Sequence, residues 1–479
     1  MSGDYRAERL ELSPEDMRRL GYGVVDLLVA HYSGLASGPV GRKGGRGELE
    51  ALLREPVPEQ PGDPLALLER LPRDVFSNML HVDHPRFFAF VPGPGNFVSA
   101  MADALASGFN VFTGTWFAGS GPAQVELVVV DWLRQICGLP EGAGGLFVSG
   151  GSMANLTALA LARHARLANR TEGAIVYTSD QTHSSVARGL RVLGFAPDQI
   201  RTLRADADFC LPMDQLRREV AADRAAGRIP FCVVANAGTT NTGAVDPLPA
   251  LAAFCREENI WLHADGAYGA PAVLTDAGKA RLEGLGAVDS LTLDPHKWLF
   301  QSFETGCLLV RDRNLLLEAF QILPEYLRDT HGASEEVNFG NYGIQLTRSF
   351  RALKLWMSLQ TFGLSAFREA IARGIRLAEV AQEALGEDPA WEIVTPAALG
   401  VVTFRYNADA EKDAVDALQG RIVEATMAEG FALVTSTVLL GRPVLRLCTI
   451  NPRTSDEDMR ETVHRLAATG ARLAAEMKS

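Results

Sequence analysis

The chain has 479 residues, 47% of them hydrophobic, and a net charge of −12. So much apolar material supplies a large buried core and excludes disorder, collagen and coiled coil as the main state, while the length predicts about two to four domains. The acidic balance, with no Lys/Arg-rich block, argues against nucleic acid or an anionic membrane as the main partner.

The N-terminal stretch MSGDYRAERLELSPED is charged and lacks the apolar run of a secretory leader. Ser13-Pro14 predicts a helix start, with serine as N-cap, proline in the first turn and Asp16 completing a weak capping box. Met17, Leu20, Val24, Leu27, Leu28 and His31 then recur at helical spacing. Turn-rich breaks fall at 38–48 and 56–64. Short amphipathic helices joined in this way cannot bury their apolar faces alone. Residues 1–85 are therefore expected to lie on the rest of the chain or on a second copy.

From residue 86 to 355 short β-rich runs alternate with helical stretches. The predicted strands are 146–148, 174–177, 231–235, 260–264, 290–293 and 307–310, with a helix over 153–167. Near-continuous apolar strands separated by helices predict an α/β fold, a mostly parallel sheet covered on both faces. Past Phe350 the stretch RALKLWMSLQTF leads into a smaller α+β region, 356–479, with strands in GVVTFRY and VLRLCTI and a last helix capped by Ser455. The six cysteines form no CxxC pair and no Cys/His cluster of zinc spacing, so neither a metal nor a disulfide scaffold is expected. Reduced thiols in a cytoplasm are the simpler reading. No apolar run approaches the roughly 18 residues that span a bilayer.

Ligands of open α/β sheets bind beyond the carboxyl ends of the strands, and four clusters fall there. Ser149-Gly150-Gly151-Ser152 precedes a helix whose N-terminus can receive an anion, although a tight turn would look the same. Asp265 follows an apolar strand and calls for a cationic partner, or else caps the next segment. Lys297, in Asp294-Pro295-His296-Lys297-Trp298, sits oddly for a solvated cation, and a lysine of lowered pKa forms Schiff bases; the alternative is a surface lysine at a strand end. His183 could stack on a flat ring, act as acid or base, or simply be a satisfied, partly buried histidine. Thr239-Thr240 adds hydroxyls at another strand end. Together these offer an anion site, a carboxylate for a ring nitrogen, an imidazole for a ring face and an amine for an aldehyde. Pyridoxal phosphate (PLP) has all four handles.

The stretches HPRFFAFVPGP (84–94), GLFVSGGSMANLTAL (145–159), SDQTHSSV (179–186), NAGTTNTGAVDP (236–247), WLHADGAYG (261–269), DSLTLDPHKWL (289–299) and RSFRALKLW (348–356) resemble, in collinear order, the group II PLP-dependent amino-acid decarboxylases, above all those acting on aromatic L-amino acids. The resemblance implies a fold-type I enzyme: an N-terminal helical flap (1–85), a seven-stranded PLP domain (86–355) and a small C-terminal domain (356–479). It also implies a homodimer with active sites at the interface.

Carried onto this chain, the resemblance makes Lys297 the Schiff-base lysine and Asp265 the partner of the pyridine nitrogen. His183 would stack on the ring and help position the substrate carboxylate. Gly151 and Ser152, with His296 nearby, would hold the phosphate, and Thr240 and Ala267 would flank the ring. Tyr326 would return a proton to Cα from a mobile loop. Phe90 and Pro92 would form an apolar subsite, with Trp116 arriving from the partner subunit. Thr347 leans the preference towards tyrosine or DOPA over tryptophan. The implied reaction is decarboxylation of an aromatic L-amino acid to the amine and CO₂. The rivals are an aromatic aldehyde synthase, in which Tyr326 or His183 is often replaced, and a decarboxylase of a non-aromatic amino acid such as glutamate. An aminotransferase, expected to carry an arginine that grips the substrate carboxylate, and a catalytically dead scaffold are disfavoured by Tyr326 and by the presence of Lys297, Asp265 and His183.

Overall fold

A computed structural model describes residues 10–322, 335–407 and 411–477. Helix α1 (Pro14–Gly34) starts as its cap predicts: the Ser13 hydroxyl oxygen accepts the Asp16 N–H at 3.1 Å. Helices α2 (Arg46–Leu53), α3 (Pro64–Asp74), α4 (Phe97–Gly108) and α5 (Trp116–Ile136) follow. Strands and helices then alternate as β1 (Gly144–Val148), α6 (Gly151–Leu167), β2 (Ala174–Ser179), α7 (Ser184–Val192), β3 (Ile200–Leu203), α8 (Met213–Ala225), β4 (Ile229–Asn236), α9 (Leu248–Glu257), β5 (Trp261–Asp265), α10 (Asp276–Arg281), β6 (Ser290–Leu293) and β7 (Gly306–Val310). The chain continues through α11 (Asn314–Phe320), the long α12 (Ala352–Gly386), β8 (Trp391–Ala398), β9 (Val401–Tyr406), α13 (Lys412–Glu429), β10 (Thr435–Leu439), β11 (Arg442–Cys448) and α14 (Asp456–Glu476).

Seven strands form one sheet in the order β1-β7-β6-β5-β4-β2-β3. β3, β2, β4, β5 and β6 run parallel, and β7 is antiparallel to both β6 and β1. The alternation of side chains along each strand divides the core in two. Ile175, Tyr177, Val233 and Leu262 pack with α5, α8 and α9, whereas Ala174, Val176 and Val234 pack with α6 and α7. The predicted strands are all present, each within two residues of its expected ends. β3 is absent from the prediction because it is a four-residue edge strand with only Leu203 buried, so it lacks the apolar run of its neighbours. Two of the last four strands, β9 and β11, were expected, and the α+β character holds: β10, β11, β9 and β8 form a separate antiparallel sheet against α13 and α14.

Two features bear on assembly and stability. The apolar stripe of α1 is only partly covered: among the described residues none of this helix is buried, and Met17 and Val24 are 53% and 38% exposed. Elsewhere Glu126 of α5 and Arg348 form an ion pair that is at most 1% exposed. The Glu126 carboxylate also accepts the Phe147 N–H at 2.8 Å, and Arg348 donates to the Phe147 carbonyl at 2.7 Å, so the pair ties α5, β1 and the approach to α12 together. Arg348→Met should therefore strand a buried carboxylate and cost about 3–5 kcal/mol. Urea unfolding would measure it, and a loss below about 1 kcal/mol would show that the pair is not uncompensated when broken.

Candidate active site

A cavity of about 660 Å³ opens where the parallel strands end. Ser149 to Met153 follow β1, His183 follows β2, Thr239 and Thr240 follow β4, Asp265 ends β5, and Asp294 to Lys297 follow β6; Phe90 and Arg446 close the far side. Gly151, Ser152, His183, Thr240, Asp265, Ala267, His296, Lys297 and Phe90 are thus brought to one cavity. Pro92 is buried but does not line it, Trp116 packs half-buried at the start of α5, and Thr347 is exposed; among the described residues these three stand apart from the cavity. Tyr326 lies outside the described residues.

The glycine turn has a steric cause. A Cβ on Gly151 would come within 2.9 Å of Asp294 Oδ2, and one on Gly150 within 3.2 Å of His296 Cε1. The backbone must pass close to the strand end beside it so that the first turn of α6, with its free N–H groups, faces the cavity. His296 is held by a hydrogen bond between Nδ1 and the Thr305 carbonyl at 2.8 Å. Burial lowers its pKa, only partly offset by Asp294.

Asp265 is positioned by three elements. Its Oδ1 accepts the Ala267 N–H at 3.1 Å, and its Oδ2 accepts an amide proton from Asn155 of α6 at 2.8 Å. Asn155 cannot turn around, because its Oδ1 accepts the Thr292 hydroxyl at 2.7 Å and lies 3.0 Å from His263 Nε2. Asn155 also donates to Ser185 Oγ at 2.9 Å. The Ser185 hydroxyl, 2.8 Å from His183 Nδ1, therefore points its own proton at that nitrogen, which also accepts the Ser185 N–H. Two donors on Nδ1 leave the proton of a neutral His183 on Nε2. One hydrogen-bonded chain thus runs from Asp265 through Asn155 and Ser185 to His183.

Lys297 Nζ lies 2.9 Å from Asp294 Oδ2. Burial opposes its charge, but the Asp294 carboxylate, with Asp265 behind it, outweighs burial and raises the pKa above the ordinary lysine value. This corrects the expectation of a lysine with a lowered pKa: in this structure the amine is held as an ammonium. Across the cavity Arg446 of β11 donates through Nη1 to the Phe90 carbonyl, while its buried Nε and Nη2 have no partner among the described residues.

Asn155, Ser185, Asp294 and Arg446 were not among the residues predicted from sequence. The available signals were a polar residue inside an apolar helix and an arginine inside the apolar strand VLRLCTI. Both are places where burial demands a partner.

The cavity fits pyridoxal phosphate. A glycine cradle at a helix start suits its phosphate, a fixed carboxylate suits its ring nitrogen, a lysine suits its aldehyde, and unpartnered guanidinium nitrogens remain for a second anion. A model of the pyridoxal-dependent decarboxylase conserved domain matches residues 47–407. The chain is 50% identical over 465 residues to an aromatic-L-amino-acid decarboxylase of Bacillus atrophaeus, covering 96% of this chain and 97% of that protein. It is 30% identical over 464 residues to a phenylacetaldehyde synthase of Arabidopsis thaliana, covering 94% and 95% of the two chains. The crystal structure of Oryza sativa TDC with PLP and tryptamine superimposes with a TM-score of 0.92 at 30% identity, covering 97% of this chain and 99% of that one.

Proposed function

The chain belongs to the pyridoxal-dependent decarboxylase family, and from that premise we propose that it removes the α-carboxylate of an aromatic L-amino acid, releasing CO₂ and the amine. The observation that carries this reading is the 50% identity along almost the whole chain to an aromatic-L-amino-acid decarboxylase, together with the convergence of Lys297, Asp265 and His183 on one cavity. When bound, pyridoxal phosphate supplies an aldehyde that condenses with amines and a protonated ring that takes up the electron pair left by the departing carboxylate.

The residues then take these roles. The first turn of α6 at Gly151 and Ser152, with His296 beside it, binds the phosphate. Asp265 would hold the proton on the ring nitrogen, and Thr240 and Ala267 would flank the ring. Lys297 would hold the cofactor through its amine. His183 would lie against the ring, with its Nε2–H available to the substrate carboxylate. Arg446 offers that carboxylate two more donors, which sets the Cα–carboxylate bond in one orientation and so selects which bond breaks. Phe90, 60% exposed, gives an aromatic side chain an apolar wall at the rim. Tyr326 returns a proton to Cα.

The partly uncovered α1 stripe supports a homodimer in which residues 1–85 pack on the partner, Trp116, Pro92 and Thr347 then shaping the substrate subsite around two shared active sites. Residues 86–355 form the cofactor domain and 356–479 the small one. The six cysteines are all unpaired, which supports a reducing cytoplasm. No helix among the described residues is long and apolar enough to cross a membrane.

The test is product analysis of the PLP-loaded enzyme with tyrosine, DOPA, phenylalanine, tryptophan and glutamate, following CO₂, amine, aldehyde and peroxide together. Equal amounts of amine and CO₂ from an aromatic substrate are expected. Tyr326→Phe should slow proton return and divert product to aldehyde with consumption of oxygen. Aldehyde and peroxide from the unmodified enzyme would instead make it an aldehyde synthase, and turnover of glutamate alone would overturn the aromatic assignment.

A further inference from the structure

Asp294 is a second carboxylate in a site built to receive an anion. It is 1% exposed, and its Oδ1 has no hydrogen-bond partner among the described residues. Its Oδ2 is 2.9 Å from Lys297 Nζ, 3.7 Å from His296 Nε2 and 2.9 Å from the point where a Cβ on Gly151 would stand. The carboxylate therefore lies against the first residue of α6, at the positive end of that helix. It also neutralises Lys297, the one lysine of the cavity among the described residues.

We infer that Asp294 opposes cofactor loading: it ties Lys297 as an ion pair inside the anion cradle, and loading must part that pair and seat a phosphate beside the same carboxylate. This rests on the assignment of Lys297 and of the Gly150–Ser152 turn to the cofactor. Two physical effects act together. Condensation joins the lysine nitrogen to the aldehyde carbon and expels water, which needs the neutral amine, so the ammonium must first release a proton to solvent. Asp294, aided by Asp265, holds that proton on Lys297, while burial and the neighbouring Cys448 and His296 complete its surroundings. Separately, a phosphate entering the turn meets a like charge. Asp294 also acts on His296, where it opposes the effect of burial, and on the buried Cys307 thiol of β7, which burial already keeps neutral.

The two effects separate with two probes on cofactor-free protein. Inorganic phosphate reads the charge of the anion cradle, the Lys297 ammonium included, with no condensation; pyridoxal, which lacks phosphate, reads the amine through the absorbance of its condensation product. In Asp294→Asn, inorganic phosphate measured by calorimetry should bind roughly tenfold tighter or more, the size expected for removing one like charge at about 4 Å. Pyridoxal condensation should begin at a lower pH than in the unmodified protein. Asp294→Ser repeats both measurements should the asparagine variant fold poorly. Phosphate affinities within twofold and superimposable pH profiles would overturn the inference. Should the unmodified protein show no condensation absorbance with pyridoxal phosphate, or keep it in Lys297→Ala, the cofactor assignment itself would fall instead.

Discussion

Lys297→Ala is expected to lose the visible absorbance of the bound cofactor and to lower turnover roughly 10⁴-fold or more, because among the described residues it removes the only amine of the cavity that can carry the aldehyde. The substitution also strands Asp294, whose nearest remaining cation-forming group is His296 at 3.7 Å. A buried, uncompensated carboxylate is destabilising, so activity loss alone would be ambiguous. The double variant Lys297→Ala, Asp294→Asn removes both charges. It should regain stability in urea unfolding while remaining colourless and inactive. Activity within a hundredfold of the unmodified enzyme in either variant would sink the assignment of Lys297.

The second large effect is expected at Asp265. Asp265→Asn keeps the size and the acceptor for the Ala267 N–H, but it sets an amide NH₂ against the Asn155 NH₂, which cannot turn because Thr292 and His263 hold its oxygen. The variant therefore loses the charge that holds a proton on the ring nitrogen and gains a clash of donors. A fall of roughly 10³-fold in kcat is expected, about 4 kcal/mol in the barrier. Cofactor release during dialysis should be faster as well. Steady-state rates with saturating PLP separate the two, and a kcat within tenfold of the unmodified enzyme would show that the ring does not depend on Asp265.

Much of this could be read along the chain. Near-continuous apolar runs marked the strands, because strands covered on both faces must be apolar almost throughout. Ser13 and Ser455 marked helix starts, because their hydroxyls satisfy free N–H groups, as the structure shows at Asp16 and Asp458. The chemical residues were legible because Gly151, His183, Asp265 and Lys297 each sit within a few positions of a strand end.

What local pattern does not contain is which strand lies beside which. The order β1-β7-β6-β5-β4-β2-β3 brings Asn155, Ser185 and Asp265 within hydrogen-bonding distance although up to 110 positions separate them. The second sheet, through β11, adds Arg446 to the same cavity. The charge state of Lys297 was decided in the same way. Burial alone would lower its pKa, but the turn after β6 places Asp294 at 2.9 Å, and the pair outweighs burial. The sequence by itself determined the elements and the kinds of chemistry, since those depend on neighbours along the chain. Only the tertiary structure decided the pairings, since these depend on distances between elements that the chain order leaves open.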